Sequence, residues 1–208
     1  MQYSEENSST IEGYKEATKE ACIEAIQFSK GSLDMFRKAL CSTNLSIIYV
    51  DIQGAVHHHG TSANNHYYFM FSDSGSIIKF CGLDMLNQHI AVCDNTRNIT
   101  VLTNKNYSGY AISIDKNLLH QYLGTSKIDL CQEASLKQAL LPQTIKIKSQ
   151  LNTYISTLFR HAVSLEKPCV SADVCDQVGI LLSQLVHPLT EVETLKERAF
   201  STRQNILL

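Results

Sequence analysis

Short stretches rich in β-branched and aromatic residues recur through the middle of the chain, each closed by Asn, Asp, Gly or Ser. They are Leu45–Ile52, His66–Phe71, Ile77–Cys81, Gln88–Cys93, Asn98–Thr103 and Tyr110–Ile114. Spacing of about ten residues predicts antiparallel strands in a sandwich or barrel rather than βαβ units. Several are apolar at successive positions, which suits a sheet covered on both faces or a barrel with a filled interior. The pattern then changes period. Asp115 reads as the N-cap of a short helix, Lys116–Leu123, ended by Gly124.

From Ile147 the apolar positions Leu151, Ile155, Leu158, Ala162 and Leu165 alternate steps of four and three, and Tyr154 and Phe159 widen the seam. This predicts a long amphipathic helix, stopped by Pro168. Val174, Val178, Leu181, Leu182, Leu185 and Val186 mark a second helix, stopped by Pro188, and the capping box Thr190–Glu193 starts a third, through about Phe200. At the other end residues 1–10 are polar and Ser-rich and read as frayed. Ser9–Glu12 has capping-box spacing for an exposed helix running through Ala25.

Composition narrows the class. With 208 residues, 44% hydrophobic and 18% charged, the chain can bury a core and is neither disordered nor collagen-like. No apolar run reaches the ~18 residues of a membrane span, so no membrane association is expected. Eighteen basic against 20 acidic residues give a formal charge of −2, and neither residues 1–140 nor residues 141–208 carry the basic surface that phosphate binding needs. The seven cysteines (Cys22, Cys41, Cys81, Cys93, Cys131, Cys169 and Cys175) include no Cys-x-x-Cys pair, so they read as buried thiols in a reducing cytoplasm.

Candidate chemistry is sparse. His57, His59 and His66 could be metal ligands of a small barrel. However, a metal-binding cupin would want Gly where Asp51 stands and Glu near Ala63 or Asn64, so His57–His59 reads as a loop without metal. No nucleophile elbow and no Gly-rich phosphate loop is present. The expectation is no enzyme, no catalytic residues and no cofactor. Tyr49, His66, Tyr68, Met70 and Lys79 alternate on strands in a way that could line a ligand cavity, or they fill the sheet. The seam Leu151, Ile155, Leu158, Ala162 and Leu165 either packs within the chain or forms a two-fold contact, and a homodimer interface is the expectation.

The stretch Ile26-Gln-Phe-Ser-Lys-Gly31-Ser-Leu33 resembles the opening of the regulatory domain in AraC-type transcription regulators. Tyr110–Leu119 is similar to that family's final barrel strand running into a short helix. The heptad helix occupies the place of its dimerisation helix, and Ser201–Leu208 is similar to the lead-in to its helix-turn-helix domain. The resemblance implies an α+β fold: an antiparallel cupin-like β-barrel, or jelly roll, followed by an α-helical dimerisation segment. It divides the chain into an extension (1–25), a ligand-sensing barrel (26–140), a helical segment (141–200) and the start of a missing DNA-binding domain (201–208). It further implies an unidentified small-molecule effector and DNA contact only through that missing C-terminal domain. The alternatives are a metal-dependent cupin enzyme using His57, His59 and His66, and a stand-alone interaction domain.

Overall fold

A computed structural model describes residues 2–18, 23–61, 65–73, 78–85, 90–94, 98–124, 142–164 and 173–186. Eleven strands form two antiparallel sheets among these residues. The larger has the order β1 (Gln2–Ser8), β3 (Asp34–Cys41), β4 (Leu45–Gln53), β11 (Asn106–Asp115), β6 (His66–Ser72) and β9 (Ala91–Asp94). The smaller runs β2 (Ile23–Gln27), β5 (Val56–Gly60), β10 (Ile99–Leu102), β7 (Ile78–Phe80) and β8 (Leu83–Met85). The two sheets stay open and form the expected antiparallel jelly roll. Four helices lie among the described residues: α1 (Ile11–Thr18), α2 (Lys116–Leu123), α3 (Pro142–Ser164) and α4 (173–186).

The larger sheet is covered on both faces, which explains its unbroken apolar runs. On β4, Leu45 and Ile47 join Tyr67, Phe69 and Phe71 of β6 and Ile112 and Ile114 of β11 on one face. That face is roofed by Leu119 of α2, by Leu151, Ile155, Phe159 and Ala162 of α3, and by Val178 and Leu182 of α4. The opposite face, with Met35, Ile52, Met70 and Tyr107, meets Ala25, Val56, Phe80 and Val101 of the smaller sheet. Alternation along each strand sorts its side chains between two cores.

Helix α2 follows the sequence rules closely. Asp115 Oδ1 accepts from the backbone N–H groups of Asn117 (2.8 Å) and Leu118 (3.1 Å), and Gly124 closes the helix at φ +67°. Asn65 Nδ2 donates to the other carboxylate oxygen at 2.8 Å. Asp115→Ala is expected to lower the unfolding free energy by about 1 kcal/mol, read from the urea midpoint.

Three expectations need correction. Residues 2–8 are not frayed: they form the edge strand β1, paired along its length with Met35–Cys41. Its polar side chains suit an edge, and Glu5 and Glu6 stand opposite Lys38 and Arg37. The N-terminal helix stops at Thr18 instead of continuing through Ala25, because Ile23–Gln27 pairs with β5. Its cap is Thr10 rather than Ser9: Thr10 Oγ1 accepts from Gly13 N at 3.1 Å, and Thr10 O accepts from Tyr14 N at 3.1 Å. His57–His59 is not a loop but the centre of β5, flanked by β2 and β10. Strands β1, β2, β3, β5 and β8 were all absent from the pattern read from the sequence.

The C-terminal helices lie close to expectation, with α3 over Pro142–Ser164 and α4 over 173–186. The third helix, the terminal segment 201–208 and Leu165 lie outside the described residues. Cys41, Cys81, Cys93 and Cys175 take part in no disulfide; Cys93 is buried as expected, whereas Cys81 is exposed.

Candidate functional site

A cavity of about 60 Å³ lies between the two sheets. By volume it has room for about four water molecules. Its walls come from both sheets and from α1. Ile48 and Val50 of β4, Met70 of β6, and Ile99 and Val101 of β10 supply apolar surface. Tyr14 of α1, Arg37 of β3, His58 of β5, Tyr68 of β6 and Tyr107 of β11 supply polar groups. Mostly apolar walls with a few convergent polar groups are the usual makeup of a small-molecule site.

Register explains why these side chains meet. Arg37 faces Val50 across β3 and β4, and Val50 faces Gly109 across β4 and β11. Opposed residues in neighbouring strands share a face, so Arg37, Val50 and the Tyr107–Gly109–Ala111 side of β11 point together. Gly109 matters here. A Cβ on it would lie 2.2 Å from the Tyr107 hydroxyl oxygen and 2.6 Å from the Phe71 carbonyl oxygen. The missing side chain is what lets the Tyr107 ring fold back over its own strand.

The polar groups are held in defined states. Tyr14 Oη and His58 Nδ1 share a hydrogen bond of 2.9 Å, with the two rings edge-on at 5.3 Å. Burial pushes the His58 imidazole down to about 4, helped by the neighbouring His57. Burial likewise raises the phenols of Tyr14, Tyr68 and Tyr107 above their ordinary value of 10. Arg37 is nine-tenths buried, and its Nη1 lies 3.3 Å from Glu6 Oε2 on the edge strand. Arg37 Nε and His58 Nε2 are buried without a hydrogen-bond partner among the described residues. Such orphaned nitrogens are uncommon in native interiors and call for a reason.

The depressed imidazole has a consequence for stability. Between pH 6.5 and about 4 the unfolded chain holds a proton on His58 that the folded chain does not. Its contribution is therefore complete above pH 6.5 and is lost as pH falls through that window, by up to about 3 kcal/mol. Urea unfolding of the wild type and His58→Gln across this range checks it: the variant's pH slope should be the shallower one.

The structure brings together only some of the residues singled out in the sequence. Tyr68 and Met70 line the cavity. Tyr49 is on the opposite face of β4, where its ring lies 5.1 Å from that of Tyr110 in the core beneath the helices. His66 sits at the sheet end, its Nε2 3.2 Å from the Thr43 carbonyl oxygen. Lys79 pairs with Asp84 at 2.9 Å on the outer face of the smaller sheet. Tyr49 is set apart by parity and Lys79 by sheet, whereas His66 shares strand and parity with Tyr68 and Met70 but sits at the start of β6, beyond the cavity.

The three histidines do not form a metal site. His57 faces out from the smaller sheet and stacks edge-on against Phe28 at 5.7 Å. His59 shares that outward parity, and His66 belongs to the other sheet. Among the described residues no group of three or more His, Cys, Asp or Glu is gathered to hold a metal ion. The expected dimer seam is also used differently. Leu151, Ile155 and Ala162 are buried within the chain against the larger sheet, and Leu158 packs beside them. An amphipathic stripe alone does not say whether its cover is a sheet of the same chain or a second subunit.

Sequence reasoning missed Tyr14, Arg37, His58 and Tyr107. The alternation Met35-Phe-Arg37-Lys-Ala39 carried a signal, an arginine on the apolar parity of a short strand, but the strand itself was not recognised.

Comparison with solved structures places this architecture. The AraC-like transcriptional activator CuxR matches with a TM-score of 0.58 at 10% identity, covering 89% of this chain and 69% of that one. The fold is cupin-like. The cupin domain of Schizosaccharomyces pombe Cnp3 is a weaker match, with a TM-score of 0.34 at 10% identity over 45% of this chain and 74% of that one. A predicted oxalate decarboxylase from Thermotoga maritima has a TM-score of 0.32 at 12% identity, over 47% of this chain and 95% of that one. No family model and no curated protein matches the sequence.

The expectation of a non-enzyme is corrected by these matches. A nucleoside dehydratase, Pac13, stands beside the decarboxylase among the cupin-fold neighbours, so this fold gives no ground for excluding catalysis. Among the described residues no helix is long and apolar enough to cross a membrane.

Proposed function

We propose that this chain is the ligand-sensing regulatory part of an AraC-type transcription regulator, acting in the cytoplasm. One observation carries the reading: strand β11 belongs to both cores at once. Tyr107 and Ala111 line the cavity, and Tyr110, between them on the opposite parity, borders it as well while belonging to the core under the helices. The Tyr110 hydroxyl lies 3.1 Å from Ser156 Oγ of α3. A molecule that displaces β11 from the cavity side therefore displaces the seat of α3, and differential affinity for the two arrangements becomes a coupling free energy.

The likeness to CuxR supports this reading at the level of fold. In it, DNA is contacted by a separate helix-turn-helix domain, in keeping with the formal charge of −2 over these residues. A homodimer belongs to the same reading, through surfaces other than the buried seam of α3.

The test is hydrogen exchange with and without the small-molecule fraction of the protein's own cells. Slower exchange in α3, together with a raised melting temperature, is expected for the wild type. Met70→Trp, which fills the cavity, should abolish both effects. Protection that persists in Met70→Trp, or none in either protein, would contradict the proposal.

A further inference from the structure

We infer that the cavity takes a small, uncharged, largely apolar molecule bearing a carbonyl-type acceptor oxygen, held by the unpartnered N–H groups of Arg37 and His58. This rests on the ligand-sensing reading and deepens it by naming the class of ligand.

The walls settle the apolar part. Ile48, Val50, Met70 and Val101 offer hydrocarbon, and a volume of about 60 Å³ limits the guest to a few heavy atoms. The charge balance settles the rest. Among the described lining residues Arg37 is the one cation, and its Nη1 already faces Glu6 Oε2 at 3.3 Å, its cross-strand partner. The described lining residues include no carboxylate to receive a cation. Burial keeps the imidazole neutral, and the phenols retain their protons. An ionised guest would thus enter a low-dielectric space with no uncommitted countercharge, which is costly. A neutral guest meets no such penalty.

The hydrogen-bond inventory gives the polarity of the guest. A guanidinium has donors only, so Arg37 Nε needs an acceptor. The Tyr14 phenol keeps its proton and is assigned as the donor to His58 Nδ1; the ring proton then resides on Nε2, and that orphan is a donor as well. Two buried donors on cavity-lining residues from opposite sheets call for an oxygen with two lone pairs. A ketone or amide carbonyl provides one.

Butanone and propionate test this, because they share a shape and differ in charge. Saturation-transfer NMR on the 208-residue chain at neutral pH, with n-propylammonium as a cationic control, reads binding directly. Butanone should receive at least fivefold more transfer than either ion. That transfer should fall to background in Met70→Trp and in a second plugging variant, Ala111→Leu, each shown to be folded by circular dichroism. His58→Phe, which keeps the ring contact with Tyr14 and removes the donor, should weaken it severalfold. Stronger transfer to propionate or propylammonium, lost on plugging, would overturn the neutral class and leave the ligand cavity standing. Butanone transfer unchanged by plugging would place the probe elsewhere and overturn the site. Absence of transfer to all three would count against the cavity as a ligand site altogether.

Discussion

Ile155→Asp should leave the chain unfolded at every protein concentration. Ile155 is fully buried between α3 and the larger sheet, in the same cluster as Leu151, Phe159 and Phe69. A carboxylate there would lose its hydration inside an apolar cluster. The cost is about 5 kcal/mol or more, comparable with the whole stability of an ordinary domain. Far-ultraviolet circular dichroism combined with sedimentation velocity, at low and high micromolar concentration, separates two roles for the seam. Loss of helix and sheet signal at both concentrations is expected when the seam packs on its own sheet. A folded monomer, derived from a wild-type dimer, would show instead that Ile155 belongs to a subunit contact.

Gly109→Val is expected to cost more than about 3 kcal/mol. The first added atom alone would lie 2.2 Å from the Tyr107 hydroxyl oxygen and 2.6 Å from the Phe71 carbonyl oxygen. Tyr107 is fully buried, and the Phe71 carbonyl belongs to the backbone of the neighbouring strand β6, so neither can give way cheaply. Relief requires either the Tyr107 ring to swing toward the cavity or β11 to part from β6. Urea unfolding measures the loss. Gly109→Val combined with Tyr107→Phe should recover part of it by removing the closest clashing atom. No recovery would place the strain at Phe71 and separate the glycine from the cavity wall.

Much of the fold was legible because burial and spacing agreed. Strands β4, β6 and β11 are apolar on both parities since both of their faces are covered, and that double coverage shows directly as unbroken hydrophobic runs. Helix α2 was readable residue by residue, because its cap Asp115 and its terminator Gly124 act locally. Strand β1 was illegible for the opposite reason. Its residues Gln2–Ser8 are almost wholly polar, and what makes them a strand is the exposed edge of β3, far away in sequence.

The site was less legible than the fold. A parity error at β4 moved Tyr49 from the helix-covered face to the cavity, and nothing local distinguishes two buried faces. In the triplet His57–His59 the outer two histidines drew attention as a metal pair. The middle one, His58, faces inward and meets Tyr14, a residue from a helix more than forty positions earlier. Arg37 stands on the apolar parity of β3, and its meaning emerges only when β1 brings Glu6 beside it. Each of these depends on long-range pairing, which a single sequence does not display.

A high-resolution crystal structure of the chain purified without added ligand would probe the space between the sheets most directly. An ordered water or co-purified small molecule within hydrogen-bond reach of Arg37 Nε and His58 Nε2 is the expected result. Side chains repacked to close the cavity, with both nitrogens bonded to protein atoms, would contradict a ligand site between the sheets.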